Sequence, residues 1–306
     1  MSQNIMECGE FAQNVEVIGL NPDLPYSQSK LLYQNETPTL MTESLAEVFF
    51  QIANTQRLDI MLNLNDQEYK MSEMAKKLDA TMPHVHRDFN KLQDSNLIEK
   101  NPDGHYHLTS FGKMMCSIIP MVDFMNKNKK YFDNHSFDDL PNKFVERMSA
   151  LSNSKMIRGY VKVVEKWKEI YSNADKFISN VLVEASYSED IVQIITQKVQ
   201  KNIKIRSIFS NNPIVTKERN TVLKKYDIQK FIEDEKIMRK MSKDLSIVIV
   251  LNEKEAGVSF PSDCGSIDMG NMFYSDDPRF YEWCLDYFEH LWKNSSRFQE
   301  NKVKSE

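Results

Sequence analysis

The sequence has few of the features that mark a secreted, membrane-spanning or disulfide-stapled protein. Its 306 residues contain four cysteines, and no two of them form a Cys-x-x-Cys pair. Because four isolated thiols cannot staple a chain of this length, we expect reduced cysteines and a cytoplasmic protein. The longest nearly unbroken apolar run, residues 245–251, is too short to span a membrane and predicts a buried strand. The N-terminus also lacks the basic-then-apolar pattern of a signal peptide.

The sequence also lacks the common catalytic signatures. It contains no Gly-x-Gly-x-x-Gly, no Walker phosphate loop, no Gly-x-Ser-x-Gly and no His-Glu-x-x-His. Its carboxylate runs, such as residues 233–235 and 276–277, are typical of solvated faces or helix N-caps. The sequence therefore predicts a protein that is not an enzyme and needs no cofactor. A hydrolase in the C-terminal half is the alternative, which a deep cavity with paired titrating residues would favour.

Length and composition predict two folded domains. With 41% hydrophobic and 27% charged residues the composition is globular, and 306 residues exceed what one small core holds. The changes in pattern along the chain predict a flexible tail over residues 1–40, a DNA-binding domain over 41–125 and a polar linker over 126–141. They then predict an α/β domain over residues 142–298 and a second flexible tail over 299–306.

The local pattern in the first domain is that of a winged helix-turn-helix. A short helix over residues 70–78 is followed by a break at 79–81 and a longer helix over 82–95. Two short strands then flank the strong turn of residues 101–104. In such a domain the second helix fits the major groove of DNA and the hairpin reaches along the backbone. The order of elements therefore predicts binding to double-stranded DNA.

The second helix has distinct inner and outer faces. Val85, Phe89 and Leu92 repeat at helical spacing and form the predicted inner face. The opposite face and its flanks carry cations and hydrogen-bonding groups suited to base edges and phosphates. The predicted DNA-binding residues are Thr81, Pro83, His84, Arg87, Asn90, Lys91 and His105.

Two observations keep other interpretations of this domain open. The net charge of the chain is −5, and residues 41–115 hold eight Lys and Arg against eleven Asp and Glu. Helical hairpins with polar faces also occur in proteins that never touch DNA, so a protein-interaction adaptor is the alternative function. A salt bridge from Arg87 to Glu73 or Asp94 would favour that alternative.

Four of the six histidines lie in this domain, as His84-x-His86 and His105-x-His107. Residues two apart diverge on a helix but point the same way on a strand, so only the second pair could share a metal. No third ligand follows at a suitable spacing, and we predict no metal site.

The second half alternates strands and helices, which predicts an α/β domain. A ligand-sensing domain needs a pocket that is mostly apolar with a few convergent polar groups. Candidate residues near the predicted strand ends and helix starts are Arg206, Ser207, Arg239, Asn252, Glu253 and Trp283. For Trp283 a place in the hydrophobic core is the favoured alternative.

Several segments resemble known regulators. Residues 55–60, 75–78, 85–87, 97–100 and 108–113 are similar to a MarR/ArsR-type winged helix. Residues 252–261, 275–278, Trp283-Cys284 and Trp292 resemble the C-terminal domain of archaeal methanogenesis-regulator-type transcription factors. The resemblance covers residues 43–298.

The resemblance implies a sequence-specific archaeal transcription regulator, and operators with two half-sites imply a homodimer. Its second domain resembles the phospholipase-D-like sensor fold of sugar-responsive archaeal regulators, and it would sense a small-molecule effector or mediate assembly. Enzymes of that fold use a His-x-Lys pair with a nucleophilic histidine, and this chain contains no such pair, so a non-catalytic sensor is expected.

Overall fold

The computed structural model describes residues 38–305 except residues 186–187, 216, 218, 244, 246 and 267. A mostly helical first region with a small hairpin is followed by a second region built on a large mixed sheet. The prediction of a mixed α/β protein in two regions is thereby confirmed. Most of the tail predicted over residues 1–40 lies outside the described residues. No helix among the residues described is both long and apolar enough to cross a membrane.

The first region contains four helices, a hairpin and a fifth, longer helix within the described residues. They are α1 (Pro38–Ile52), α2 (Thr55–Asp66), α3 (Met71–Lys77), α4 (Met82–Asp94), β1 (Ile98–Lys100), β2 (Tyr106–Leu108) and α5 (Ser110–Phe132). Helix α1 begins at Pro38. Proline is favourable in a first helical turn, because the N–H that it lacks has no intrahelical partner there.

The core of the first region forms where α4 meets the hairpin. Val85, Phe89 and Leu92 are fully buried, which confirms the predicted inner face of α4. The Phe89 ring meets the edge of the Tyr106 ring, with centroids 4.6 Å apart, and so ties the helix to β2. Tyr69 adds an isolated β-bridge to the hairpin: its backbone N–H and C=O bond to Tyr106 at 3.2 and 2.8 Å.

Helix α5 begins against the segment that links α4 to β1. The Thr109 hydroxyl caps it by accepting from the Gly112 N–H at 2.9 Å, and donates to the Asn96 carbonyl at 2.6 Å. A Cβ on Gly112 would lie 2.0 Å from the carbonyl oxygen of Leu97. Only glycine lets the two backbones approach this closely.

Helix α5 belongs to both cores. Cys116, in its second turn, is buried in the first core, whereas Phe124 and Tyr131 are buried in the second. The sequence predicts a polar linker over residues 126–141, but the structure continues α5 to Phe132 and buries Leu140 completely. Polar residues in this stretch face outward at helical spacing, and a composition-based interpretation mistakes such a stretch for a loop.

The second region alternates strands and helices as predicted. Its elements are α6 (Asn142–Val145), a 3-10 turn (Met148–Leu151), β3 (Lys155–Arg158), α7 (Tyr160–Asn173), β4 (Phe177–Ala185), α8 (Glu189–Gln200), β5 (Lys204–Val215), α9 (Arg219–Lys225), α10 (Ile228–Glu233), β6 (Ile237–Ser242), β7 (Val248–Asn252), β8 (Ala256–Ser259), β9 (Asn271–Ser275), α11 (Pro278–Asn294), β10 (Ser296–Arg297), a second 3-10 turn (Glu300–Lys302) and β11 (Lys304–Ser305).

The strands form one mixed sheet in the order β10-β6-β5-β4-β7-β8-β9-β3, with β11 paired to the end of β5. Strands β4, β5 and β6 are parallel, and β7, β8, β9 and β3 continue the sheet in antiparallel pairs. Helices cover both faces. One face packs against α11 and the end of α5, and the other against α7, α8 and α10.

The C-terminal segment packs against the sheet, although the sequence predicts a flexible tail over residues 299–306. The Glu300 carboxylate lies 2.9 Å from a guanidinium nitrogen of Arg219 and 2.9 Å from one of Arg239. The Phe298 ring lies 5.2 Å from that of Phe209. Burial raises the Glu300 pKa, but the two arginines outweigh this effect and lower the pKa below its ordinary value. These long-range partners are not visible in a short polar stretch of sequence.

We expect Gly112→Ala to destabilise the protein by roughly 2 kcal/mol. Alanine improves helix propensity by about 1 kcal/mol, but the methyl group collides with backbone, and overpacking typically costs about 1–3 kcal/mol or more. Urea unfolding measures the difference. Ser110→Ala is the matched control, since Ser110 is exposed two residues earlier on α5 and should change stability by less than about 0.5 kcal/mol. Equal midpoints for both variants would contradict the close approach.

We expect Glu300→Gln to loosen the C-terminal segment, because the neutral amide leaves two cations without their shared carboxylate. Amide hydrogen exchange of residues 296–305 should accelerate. Protonation should act likewise: since the Glu300 pKa is lowered, its contribution is complete at neutral pH and is lost as the pH falls through that pKa. Glu289→Gln, which removes the Arg206 partner on the other sheet face, should leave exchange in this segment unchanged.

Candidate nucleic-acid interface and effector cavity

The outer face of α4 presents a set of polar side chains to solvent. Thr81, just before the helix, and Pro83, in its first turn, are exposed. Val85, Asp88, Phe89 and Leu92 are buried, so the exposed polar side chains of the helix lie on its other side. The exposed residues predicted to contact DNA on this helix are His84, Arg87, Asn90 and Lys91.

Arg87 lies at the centre of this outer face. It is exposed, two residues from Val85 and two from Phe89, and about 100° per residue turns it away from both. Among the residues that the structure describes, Arg87 has no ion-pair partner; neither Glu73 nor Asp94 pairs with it. Its guanidinium is therefore available to an external acceptor.

The hairpin places His105 beside a carboxylate. His105 Nδ1 lies 2.9 Å from Asp103 Oδ2, and this hydrogen bond lowers the Asp103 pKa below its ordinary value. The pairing makes His105 a weaker partner for phosphate than a free cation. Lys100, at the end of β1, is exposed, with its ammonium group 5.6 Å from the centre of the Tyr106 ring. Lys100 is not among the residues predicted to contact DNA, although its place beside the turn was a usable signal.

The histidines of this region make local contacts. His107 Nε2 lies 3.0 Å from Glu99 Oε1 across the hairpin, and His86 Nδ1 lies 3.3 Å from Asn90 Nδ2. Within the described ranges, no three His, Cys, Asp or Glu residues are grouped so that they could hold a metal ion.

The six ligand-binding candidates of the second region do not converge. Ser207 and Arg239 line one cavity. Arg206 is on the opposite sheet face, where its guanidinium bonds to Glu289 at 2.5 and 3.2 Å and lies over the Phe288 ring. Adjacent residues on a strand face opposite sides, so Arg206 and Ser207 could not both reach one pocket.

Asn252 and Glu253 organise the turn between β7 and β8. The Asn252 amide donates to the Ile170 carbonyl at 2.7 Å and its oxygen accepts the Lys254 N–H at 2.7 Å. Burial raises the Glu253 pKa, but bonds from backbone N–H groups, including that of Asp175 at 2.9 Å, outweigh this and lower it. These side chains satisfy backbone groups at the end of the sheet.

Trp283 is a core residue. It is completely buried, its indole N–H donates to the Phe144 carbonyl at 3.0 Å, and its ring stacks on Tyr287. The core alternative for Trp283 therefore matches its position.

The cavity lies between the sheet and the helices on the face opposite α11. It has a volume of about 120 Å³. Its floor comes from β4, β5 and β6 and its walls from α7, α8, α9 and α10, including Trp167, Val192, Leu223 and Ile228. The lining is mostly apolar, with Asn180 as a polar residue that the sequence analysis missed. An asparagine within an apolar strand was the available signal.

Comparison with known proteins gives one family match in the first region. Residues 48–123 match the family model described as the N-terminal domain of methanogenesis regulatory protein FilR1. The match spans about a quarter of the chain and includes α4 and the hairpin. A search of curated proteins found no match.

Solved structures with similarity to the chain have low sequence identity. TrmBL2, described as an archaeal chromatin protein with a novel mode of DNA binding, is 15% identical, with a TM-score of 0.34, covering 86% of this chain and 100% of its own. NucT from Helicobacter pylori is 12% identical with a TM-score of 0.35, covering 48% and 99%. Nuc from Salmonella typhimurium, a phospholipase D family member, is 8% identical with a TM-score of 0.32, covering 48% and 100%. At these scores, function has to be argued from this chain's own residues.

Proposed function

We propose that this protein is a sequence-specific, DNA-binding transcription regulator of archaeal type that acts in the cytoplasm. The observation that carries the proposal is the outer face of α4, where the unpaired Arg87 and the exposed Lys91 lie one turn apart. The match of residues 48–123 to the FilR1 N-terminal domain supports the same function.

The dimensions of α4 suit the major groove. Its thirteen residues give a helix of about 20 Å, and its first turn carries no acidic residue that would repel phosphate. Arg87 can donate two parallel hydrogen bonds to guanine O6 and N7, and Asn90 can pair with adenine. Lys100 at the end of β1 is placed to meet the phosphate backbone if the hairpin acts as a wing.

A protein-interaction adaptor is the second candidate, and the charge of the domain favours it. Residues 41–115 carry three more acidic than basic residues, so the surface away from α4 repels DNA. DNA binding would then depend on few cations, and it should be weak at high salt.

We propose that the second region is a non-catalytic, phospholipase-D-like sensor domain that binds an effector or mediates assembly. The chain lacks the His-x-Lys pair of those enzymes. Helix α5 supplies a route for coupling, since its two halves are buried in the two cores. A ligand that repacks the second core would therefore displace a helix on which the first core is built.

We further propose a homodimer formed through the exposed apolar side of α5. Met114, Ile118 and Val122 follow one another at four-residue intervals, so they share one face of the helix. Met114 is 68% and Val122 59% exposed. An exposed apolar stripe on a domain that reads a two-fold operator is best buried against its own copy.

We expect Arg87→Ala to weaken operator binding without changing stability. If Arg87 contacts guanine, the loss is about 1–3 kcal/mol on the preferred site, with relaxed specificity at one base position. If it contacts a phosphate, the affinity for all DNA sequences falls alike, and the salt dependence of binding falls by about one counterion. Genomic fragments retained by the full chain supply the operator, and affinities at two salt concentrations distinguish the two cases.

Lys113→Ala is the matched control, because Lys113 is an exposed cation of the same region that lies on α5. It should bind the operator nearly as wild type does. Equal affinities for wild type and a folded Arg87→Ala would refute the DNA-binding role of α4 and leave the adaptor as the better candidate.

We expect Val122→Lys to shift the protein toward monomer, since a desolvated ammonium group on each copy opposes burial of the stripe. Sedimentation velocity at micromolar concentration measures the change. Lys127→Ala, further along α5 in a solvent-exposed ion pair with Asp123, is the control and should leave the mass unchanged. A wild-type monomer at all concentrations would rule out this interface.

A further inference from the structure

The cavity floor contains a single row of polar residues. Asn180 on β4 is the register partner of Ser207 on β5, and Ser207 is the register partner of Arg239 on β6. All three line the cavity. Neighbouring strands are about 4.8 Å apart, so the row spans about 10 Å across the sheet.

The rows on either side are apolar. Side chains two residues apart on a strand share a face, so Ile205 and Ile237 flank the polar row on one side and Leu182 and Phe209 on the other. The helices above add an aromatic and aliphatic ceiling. A polar strip within hydrocarbon walls orients a bound molecule more strongly than a uniformly apolar cavity does.

Two atoms of the row lack a partner within the described residues. Asn180 is 1% exposed; its amide nitrogen donates to the Tyr171 hydroxyl at 3.0 Å, but its Oδ1 has no hydrogen bond. Arg239 pairs with Glu300 through Nη1, but its Nε has no hydrogen bond. A buried polar atom without a partner is unfavourable, so a ligand that bonds to such an atom gains affinity from the new hydrogen bond.

These partners restrict the chemistry of the ligand. Asn180 Oδ1 needs a hydrogen-bond donor, and Arg239 Nε–H needs an acceptor. A carboxylate cannot donate, and it would compete with Glu300 for the guanidinium group. The Tyr171 hydroxyl stays protonated, because burial raises its pKa far above neutrality. The cavity is also close in size to the roughly 150 Å³ apolar cavity that is known to hold benzene.

We propose that this cavity binds a small, uncharged and mostly apolar molecule whose polar end donates a hydrogen bond to Asn180 Oδ1, such as a hydroxyl or primary amide. The polar end lies on the Asn180–Ser207–Arg239 row, and the apolar body contacts Trp167 and the isoleucines. The binding itself depends only on the cavity, whereas its role as the effector of DNA binding rests on the proposed function.

Calorimetry on the full-length chain tests the proposal with four probes of similar size. Phenol and benzamide carry the required polar end, toluene lacks it, and benzoate is charged. We expect phenol or benzamide to bind at least tenfold more tightly than toluene and benzoate. If none of the four binds, or if toluene or benzoate binds as tightly as the polar probes, the proposal is overturned.

Variants locate the site. Asn180→Leu should reduce the affinity for phenol and benzamide to that for toluene, because it removes the acceptor and keeps the volume. Ser179→Ala is the matched control: Ser179 is equally buried, one residue earlier on the other sheet face, and should bind as wild type does. If Asn180→Leu does not fold, Ser207→Ile tests the location of the site instead. The larger side chain fills the middle of the row and should abolish binding of all probes. Unchanged binding in the folded variant overturns the site.

The operator-retention measurement is made separately on the same preparations. Loss of probe binding with intact DNA retention rejects the cavity proposal alone. Probe binding without DNA retention keeps the cavity and rejects the regulator.

Discussion

The double burial of α5 is the constraint on which the rest of the structure depends. Gly112 lets the start of the helix touch the backbone after α4, and Phe124, 5.2 Å from Phe273, fixes its other end against the sheet. The 23 residues of this helix, with Pro120 among them, extend over about 35 Å at 1.5 Å per residue. Displacing either core therefore moves part of a helix that the other core also contains.

Side chains alternate strictly along the central strands, so the two faces of the sheet carry different groups. Arg206 faces α11, where Glu289, Phe288 and Trp292 hold its charge. Ser207, the next residue, faces the cavity. On the first face the Arg206 guanidinium is thus paired and stacked. On the second face, buried atoms without a hydrogen bond, Asn180 Oδ1 and Arg239 Nε, lie in the row of Asn180, Ser207 and Arg239.

Local pattern predicted local structure well and long-range structure poorly. The inner face of α4, the hairpin and the alternation of the second region were visible because periodicity and turn residues act within a few positions. The packing of the C-terminal segment and the continuation of α5 could not be predicted in this way, because the residues that Glu300 and Phe124 contact lie far from them in the sequence. Of the six candidates for ligand binding, Ser207 and Arg239 reach the cavity; the register that adds Asn180 is a property of the sheet and not of any one strand.

The placement of β3 has a consequence for the order of folding. This strand lies at the edge of the sheet and pairs with β9, and the paired residues are more than 110 positions apart in the chain. Closing so long a loop is entropically costly, whereas β4, β5 and β6 join through short crossovers. The parallel centre of the sheet should therefore assemble first, with β3 added late. Until then the edge of β9 is open, and a refolding chain is most exposed to pairing with another copy at that strand.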